Sequence, residues 1–302
     1  MKMLEMLSPL SKAPPLPRQA AVGFFTDTSL CIGCKACEVA CKQWNQLPAA
    51  SPEWRGSSYD NTGQLGAQTW RHVQFIEQVG RRQPGINIEE QIDLAKSNGD
   101  IPQTPPDVAL PFFNSDRWLM QSDVCKHCVN APCLEACPTG AIIRTEFDTV
   151  YVQQDICNGC GYCIVACPFG VIARDEQEDH RAHKCTLCYD RLKDDLMPAC
   201  AQACPTHSIQ FGEITQLKAA ARERLGELHQ RGVKDARLYG EDETVLEGGL
   251  NSFFLLLDRP EVYNLPERPP RPSKNVAPAS FWTILAALIL GLMGMLFFKD
   301  DE

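Results

Sequence analysis

Cys157, Cys160, Cys163 and Cys167 stand in one run, C-x2-C-x2-C-x3-C, closed by Pro168. Thiolates are soft ligands, and a loop this tight folds the first three inward onto one metal centre. Cys167 lies beyond a short helical turn and points away, so it serves a neighbouring centre. Zinc sites usually group their ligands as two separated pairs. A four-cysteine run ending in Cys-Pro fits a four-iron, four-sulfur cubane instead of zinc or inert buried thiols. Such a cluster is a buried anion and needs backbone N–H groups turned toward its sulfurs. Gly159 and Gly161 can take the positive φ values that this cradle demands. Pro168 then stops the helical turn, because it lacks an N–H and fixes φ.

Three more runs follow the same logic. Cys31, Cys34, Cys37 and Cys41 repeat the spacing with Gly33 in the cradle position. Lys42 replaces the proline there, so a helix can continue through Trp44. Cys125, Cys128, Cys133 and Cys137 carry a loop lengthened by two residues but keep Pro138. Cys185, Cys188, Cys200 and Cys204 carry a loop opened by 189–199 and keep Pro205. Four runs of four use all 16 cysteines, which predicts four cubane clusters. Lys35, beside the first run, either favours the more negative reduced state or is a solvated surface residue. His127 and His183 adjoin cysteines, but with every cluster already supplied they read as hydrogen-bonding or surface residues.

The chain around these runs has 302 residues and a formal net charge of −9. Such an acidic balance excludes nucleic acid as a partner, since that normally requires a basic face. The chain is too long and its spacings too metal-like for a disulfide scaffold. No Gly-rich dinucleotide or phosphate loop stands out. Residues 1–19 hold Pro14, Pro15 and Pro17 and no apolar run of signal-peptide length or twin-arginine pair.

The ligand runs need elements to hold them. The stretch 70–76 reads as a strand by β-rich composition, and 141–144 with 150–152 reads as a hairpin. Ile214, Leu217, Ala221, Leu225 and Leu228 recur at steps of three and four, an amphipathic helix closed by Gly232. Residues 252–257 read as a buried strand. Residues 80–111 form a polar, proline-punctuated excursion with a short helix near 88–96.

Residues 281–298 carry no charge. As a helix at ~1.5 Å per residue they reach about 27 Å, which 277–280 extend to match a ~30 Å hydrocarbon core. A terminal apolar run after a proline-rich segment has no core left to join, so it predicts one membrane span with Trp282 at the interface. Gly291 and Gly294 permit close approach of a partner helix. Arg268, Arg271 and Lys274 precede the span and Lys299 follows it. The positive-inside rule therefore points to a cytoplasmic body.

Taken together, the run Cys31 to Cys41 with Trp44 after it, Tyr59-Asp60-Asn61, Lys184-Cys185-Thr186-Leu187-Cys188, and Pro260-Glu261-Val262-Tyr263 before the apolar run resemble the iron–sulfur (beta) subunits of membrane-bound formate dehydrogenases. These sit within the wider four-cluster electron-transfer subunits of molybdopterin oxidoreductases. The excursion at 80–111 is longer than the family pattern. The resemblance implies an α+β fold of two ferredoxin-like 4Fe–4S units with pseudo-two-fold symmetry, plus one C-terminal transmembrane helix. It implies swapped ligation: Cys31, Cys34, Cys37 and Cys204 on one cluster, and Cys41, Cys185, Cys188 and Cys200 on its neighbour. Cys125, Cys128, Cys133 and Cys167 would hold a third cluster, and Cys137, Cys157, Cys160 and Cys163 a fourth.

The resemblance further implies electron relay from a molybdenum or tungsten bis-pterin catalytic alpha subunit to a cytochrome b gamma subunit and quinone. No acid, base or nucleophile of this chain's own stands out. The same resemblance implies an inner-membrane, single-pass protein with a periplasmic body, against the charge count. The organisation read from this is an N-terminal extension at 1–22, a four-cluster domain at 23–258, a proline-rich linker at 259–279, an anchor at 280–298 and a tail at 299–302. Alternative readings are the same wire in a hydrogenase or a sulfur-compound or dimethyl sulfoxide reductase, and a zinc-stabilised membrane interaction module.

Overall fold

The computed structural model describes residues 20–49, 54, 56, 59–78 and 117–297. The whole excursion at 80–111 with the helix expected near 88–96, Phe298 and the tail lie outside the described residues. In chain order the elements begin with β1 (Val22–Asp27), α1 (Ala36–Trp44), β2 (Arg71–Gln78), β3 (Arg117–Val124), α2 (Pro132–Glu135), β4 (Ile142–Arg144) and β5 (Val150–Val152). They continue with α3 (Tyr162–Ala166), β6 (Ala173–Arg174), β7 (Ala182–His183), α4 (Tyr189–Lys193) and α5 (Ala199–Gln202). The remainder is β8 (Ile209–Glu213), α6 (Ile214–Gln230), β9 (Arg237–Tyr239), β10 (Ser252–Leu256) and α7 (Val276–Phe297).

The largest sheet has the order β8–β1–β10–β9. β10 is apolar at every position after Ser252 and buried throughout, as a central strand covered on both faces must be. β1 runs parallel to it with Phe25 opposite Phe253, while β8 and β9 pair antiparallel on the outside. The Phe25 and Phe253 rings stack at 5.4 Å. Phe24, Phe25, Phe253 and Phe254 are fully buried, each worth roughly 1.5–3 kcal/mol relative to exposure. α6 closes this sheet with Ile214, Leu217, Ala221 and Leu228, and Gly232 follows its end at φ 87°.

The metal-ligand runs lie outside that sheet, in loops and short helices steadied by smaller strand pairs. β2 and β3 pair antiparallel from Arg71 opposite Val124 to Gln78 opposite Arg117. This pair turns Arg71, His72 and Ser122 into the interior. β4 pairs with β5, and β6 with β7.

The proline-rich segment after β10 packs on the body. Tyr263 is fully buried, and Arg271 pairs with Glu135 at 2.7 Å and with Glu247 at 3.2 Å. The Ser273 hydroxyl also meets Glu135. From there α7 departs, and Phe281, Ile284, Leu288, Leu290 and Leu292 are all exposed. It is the one helix among the described residues long and apolar enough to cross a membrane. Its polar side chains are satisfied within the helix, Ser280 donating to the Val276 carbonyl and Thr283 to the Ser280 carbonyl.

Candidate metal centres

The sixteen cysteines are unpaired as disulfides and fall into four groups. In set I, Cys31 and Cys34 of the β1–α1 loop and Cys37 at the start of α1 line one cavity with Cys204, which follows α5. In set III, Cys125, Cys128 and Cys133 line one with Cys167. In set IV, Cys157, Cys160 and Cys163 line one with Cys137. Cys41, Cys185, Cys188 and Cys200 form set II, where α1 packs on α5. Burial and then the charges of Cys185, Cys200 and Cys188 raise the Cys41 thiol well above its ordinary range.

The x3 spacing explains the interleaving. Cys37 and Cys41 are four apart on α1, so they lie on one face about 6 Å apart along the axis. The first enters set I and the second set II. Cys163 and Cys167 likewise straddle the end of α3, and Cys133 and Cys137 the end of α2. Each short helix thus fixes the spacing between two sets. The entries to α3 and α1 take a left-handed residue, Gly161 at φ 82° and Lys35 at φ 59° just after Gly33 at φ 67°, whereas α2 is entered through the extended Ala131 at φ −84°.

The electrostatics of these sets demand cations. Burial pushes Cys37 and Cys133 up to about 12, and Cys163 and Cys188 up to about 11. Neighbouring thiols add to each of these rises. Four thiolates cannot be gathered in such places unless metal is bound among them. Backbone N–H groups point at the sulfurs as a cluster requires: Leu187 donates to Cys185 Sγ at 3.3 Å, and Gly33 to Cys31. Burial opposes ionisation of Cys137, yet the Thr139 hydroxyl and the N–H groups of Ile142, Thr139 and Ala141 hold it below the ordinary thiol range. The donor set and these cradles fit 4Fe–4S clusters.

Three buried cations lie among the thiols. Arg71 faces sets I and II. Lys126 pairs with Asp123, donates to the Val124 carbonyl at 2.9 Å and lies 5.3 Å from the rings of Phe169 and Phe254. Lys184 donates to the carbonyls of Val150 and Cys185. For the two lysines a signal existed in their direct adjacency to Cys125 and Cys185. For Arg71 no local signal exists.

Lys35 is half-buried and not a free surface cation: it pairs with Asp60 at 2.7 Å and with Glu38 at 3.3 Å. His127 is fully buried on the wall of the set III cavity, its Nδ1 accepting from Val150 N–H at 3.1 Å. His183 meets Asp179 at 2.9 Å.

Two stretches, 30–141 and 116–214, match the 4Fe-4S dicluster domain, which with the thiol cradles defines an iron–sulfur protein. A formate dehydrogenase iron-sulfur subunit of Haemophilus influenzae is 36% identical over 271 residues, 87% of this chain and 75% of that one. The nitrate-inducible formate dehydrogenase iron-sulfur subunit of Escherichia coli is 34% identical over 290 residues, 92% of this chain and 86% of the relative. The B subunit of the anaerobic dimethyl sulfoxide reductase of Escherichia coli is 31% identical over 196 residues, 65% of this protein and 75% of the relative. This protein belongs to the family of formate dehydrogenase iron–sulfur subunits. It binds 4Fe–4S clusters and serves electron transfer.

Proposed function

We propose that this chain relays electrons through four 4Fe–4S clusters, one on each cysteine set, within a membrane-bound formate dehydrogenase. The donor is a molybdenum or tungsten bis-pterin catalytic subunit, and the acceptor is a cytochrome b subunit that reduces quinone. Each cluster, when bound, takes up and gives back one electron.

The order of the four sets carries this reading. Cys37 of set I feels Cys200 of set II, Cys185 of set II feels Cys125 of set III, and Cys133 of set III feels Cys163 of set IV. Tunnelling falls off exponentially with distance, so a row of adjoining carriers conducts where a scattered set does not. Only the end sets hold an exposed cysteine. Cys34 of set I and Cys160 of set IV are exposed, while all four cysteines of set II are buried. The row therefore has two outlets for two partners.

The anchor base meets Glu135 of α2, between Cys133 and Cys137. We assign set IV to the membrane side and set I to the catalytic subunit. Sets I and II form one ferredoxin-like unit and sets III and IV the other, related by a pseudo-two-fold axis. The domain occupies 23–258, followed by the segment 259–279 and a single membrane-spanning anchor at 280–298.

We assign the body to the periplasmic face. Arg271 and Lys274, two of the three cations before the helix, are matched by Glu135 and Glu247. In a body that crosses already folded they leave little excess charge to retain it. Protease added to intact spheroplasts expressing the complex should digest the cluster body. Protection there, with digestion only in inverted vesicles, reverses the assignment.

The 31% identity to a dimethyl sulfoxide reductase subunit supports a second reading, the same wire on a different catalytic partner. Purification of the complex through this chain separates the two. A molybdenum or tungsten subunit and b-type haem should co-purify, and formate should bleach the iron–sulfur absorbance. A partner that oxidises the clusters with dimethyl sulfoxide and ignores formate favours the second reading.

A further inference from the structure

Arg71 heads the largest fully buried side chains, at 1% exposure. Its Nη1 donates to Ser122 Oγ at 3.0 Å, and that oxygen lies 3.2 Å from Cys37 Sγ. A guanidinium only donates, so the Ser122 oxygen accepts from Arg71 and its own proton is left for the Cys37 sulfur. The Arg71 Cζ lies 4.7 Å from the Phe24 ring centre, which closes one face of the plane. Its Nε and Nη2 have no partner among the described residues. A buried guanidinium with idle N–H groups is costly unless negative charge stands nearby. The thiols it faces are Cys37 of set I and Cys200, Cys185 and Cys41 of set II.

We propose that Arg71 is a cationic bridge shared by the clusters of sets I and II, raising both reduction potentials together, with Ser122 as its arm onto set I alone. This rests on the four-cluster reading. Reduction adds one electron to a cluster, delivered by the catalytic partner and passed on to the next cluster. No proton leaves the guanidinium. A fixed positive charge and hydrogen bonds to sulfur both favour the reduced, more negative form. Among the described residues, sets III and IV have cations but no buried guanidinium with idle N–H groups and a hydroxyl arm onto a cysteine. At set III, Lys126 is matched by Asp123 and Lys184, which acts on Cys133, spends its N–H groups on the Val150 and Cys185 carbonyls; Arg174, at the set IV cavity, pairs with Glu176.

The test is an EPR-monitored potential titration of the purified complex, with each signal assigned by a Cys→Ser change within its own set. Arg71→Gln should lower the reduced-to-oxidised ratio of clusters I and II about tenfold at fixed potential, ~59 mV for a one-electron couple. Clusters III and IV should not move. Arg71→Lys keeps the charge without the fork and should recover part of the shift. Ser122→Ala should lower cluster I alone. If Arg71→Gln fails to assemble, Ser122→Ala decides: a fall confined to cluster I supports the bridge, and unmoved potentials overturn it. Equal shifts in all four clusters also overturn it. Iron is measured on the same samples. About sixteen iron per chain with unmoved potentials defeats the bridge alone, whereas eight or fewer defeats the four-cluster reading as well.

Discussion

Cys204 and Cys31 line one cavity, although Cys204 belongs to the last cysteine run and Cys31 to the first. The chain closes this set by bringing β8 alongside β1, with Thr26 opposite Ile209. The sheet therefore does more than support the ligand loops, because its register determines which thiols meet. Cys204→Ser should change the EPR signal of one cluster only, the same one altered by Cys34→Ser. If it instead alters the cluster disturbed by Cys188→Ser, the grouping by cavity is wrong.

Gly159 and Gly161 both sit at positive φ, 70° and 82°, but their surroundings differ. A Cβ on Gly159 would come within 2.2 Å of the His180 carbonyl oxygen, whereas one on Gly161 meets nothing within 4 Å. The left-handed conformation alone costs about 1–2 kcal/mol for an L-residue. Gly161→Ala should show little beyond that in thermal stability and keep its iron. Gly159→Ala should lose the set IV cluster, about four iron per chain. Equal iron content in the two variants would contradict this.

Asp60 ties the 59–63 loop to α1 and β2, taking Lys35 at 2.7 Å and His72 at 3.0 Å. Burial works against its charge, but the hydrogen bonds from Lys35 and His72 outweigh it and hold the carboxyl at about 2. A depressed carboxyl stabilises the fold above its unfolded value, near 4, and that contribution disappears as pH falls through about 2. Asp60→Asn should therefore cost about 1 kcal/mol near neutral pH, with the difference from wild type shrinking between about pH 4 and 2. Urea midpoints of the two proteins at matched pH give the difference directly. A gap that stays constant across that window would rule out the carboxylate as its source.

Truncation after Pro278 removes nearly all of the exposed apolar helix and leaves Tyr263 and the Arg271–Glu135 contact in place. The truncated chain should keep its iron and leave the membrane fraction. Formate-dependent quinone reduction at the full rate by the truncated complex would show that the helix does not dock it.

Spacing made the iron–sulfur chemistry legible, because a thiolate run states its own chemistry in a dozen residues. The helix at 214–230, the β4–β5 pair and the buried β10 were legible for a similar reason: each is a local pattern of apolar residues. Arg71 and Ser122 were not. They meet only because β2 and β3 pair across a long intervening segment; Arg71 has no cysteine near it in sequence, and Ser122, three before Cys125, meets Cys37 of another run instead. Tyr263 and Leu265 were hidden by composition. The prolines around them read as linker, yet both side chains are buried in the body. Lys35 was ambiguous because its partner Asp60 belongs to another loop.

The central claim is that four sets of four thiols hold four cubanes. Iron, acid-labile sulfide and zinc determined together on the anaerobically purified, fully reconstituted chain test it most directly. About sixteen iron and sixteen sulfide per chain are expected, four of each per cluster, with no stoichiometric zinc. Eight iron or fewer, or zinc in place of iron, would contradict it.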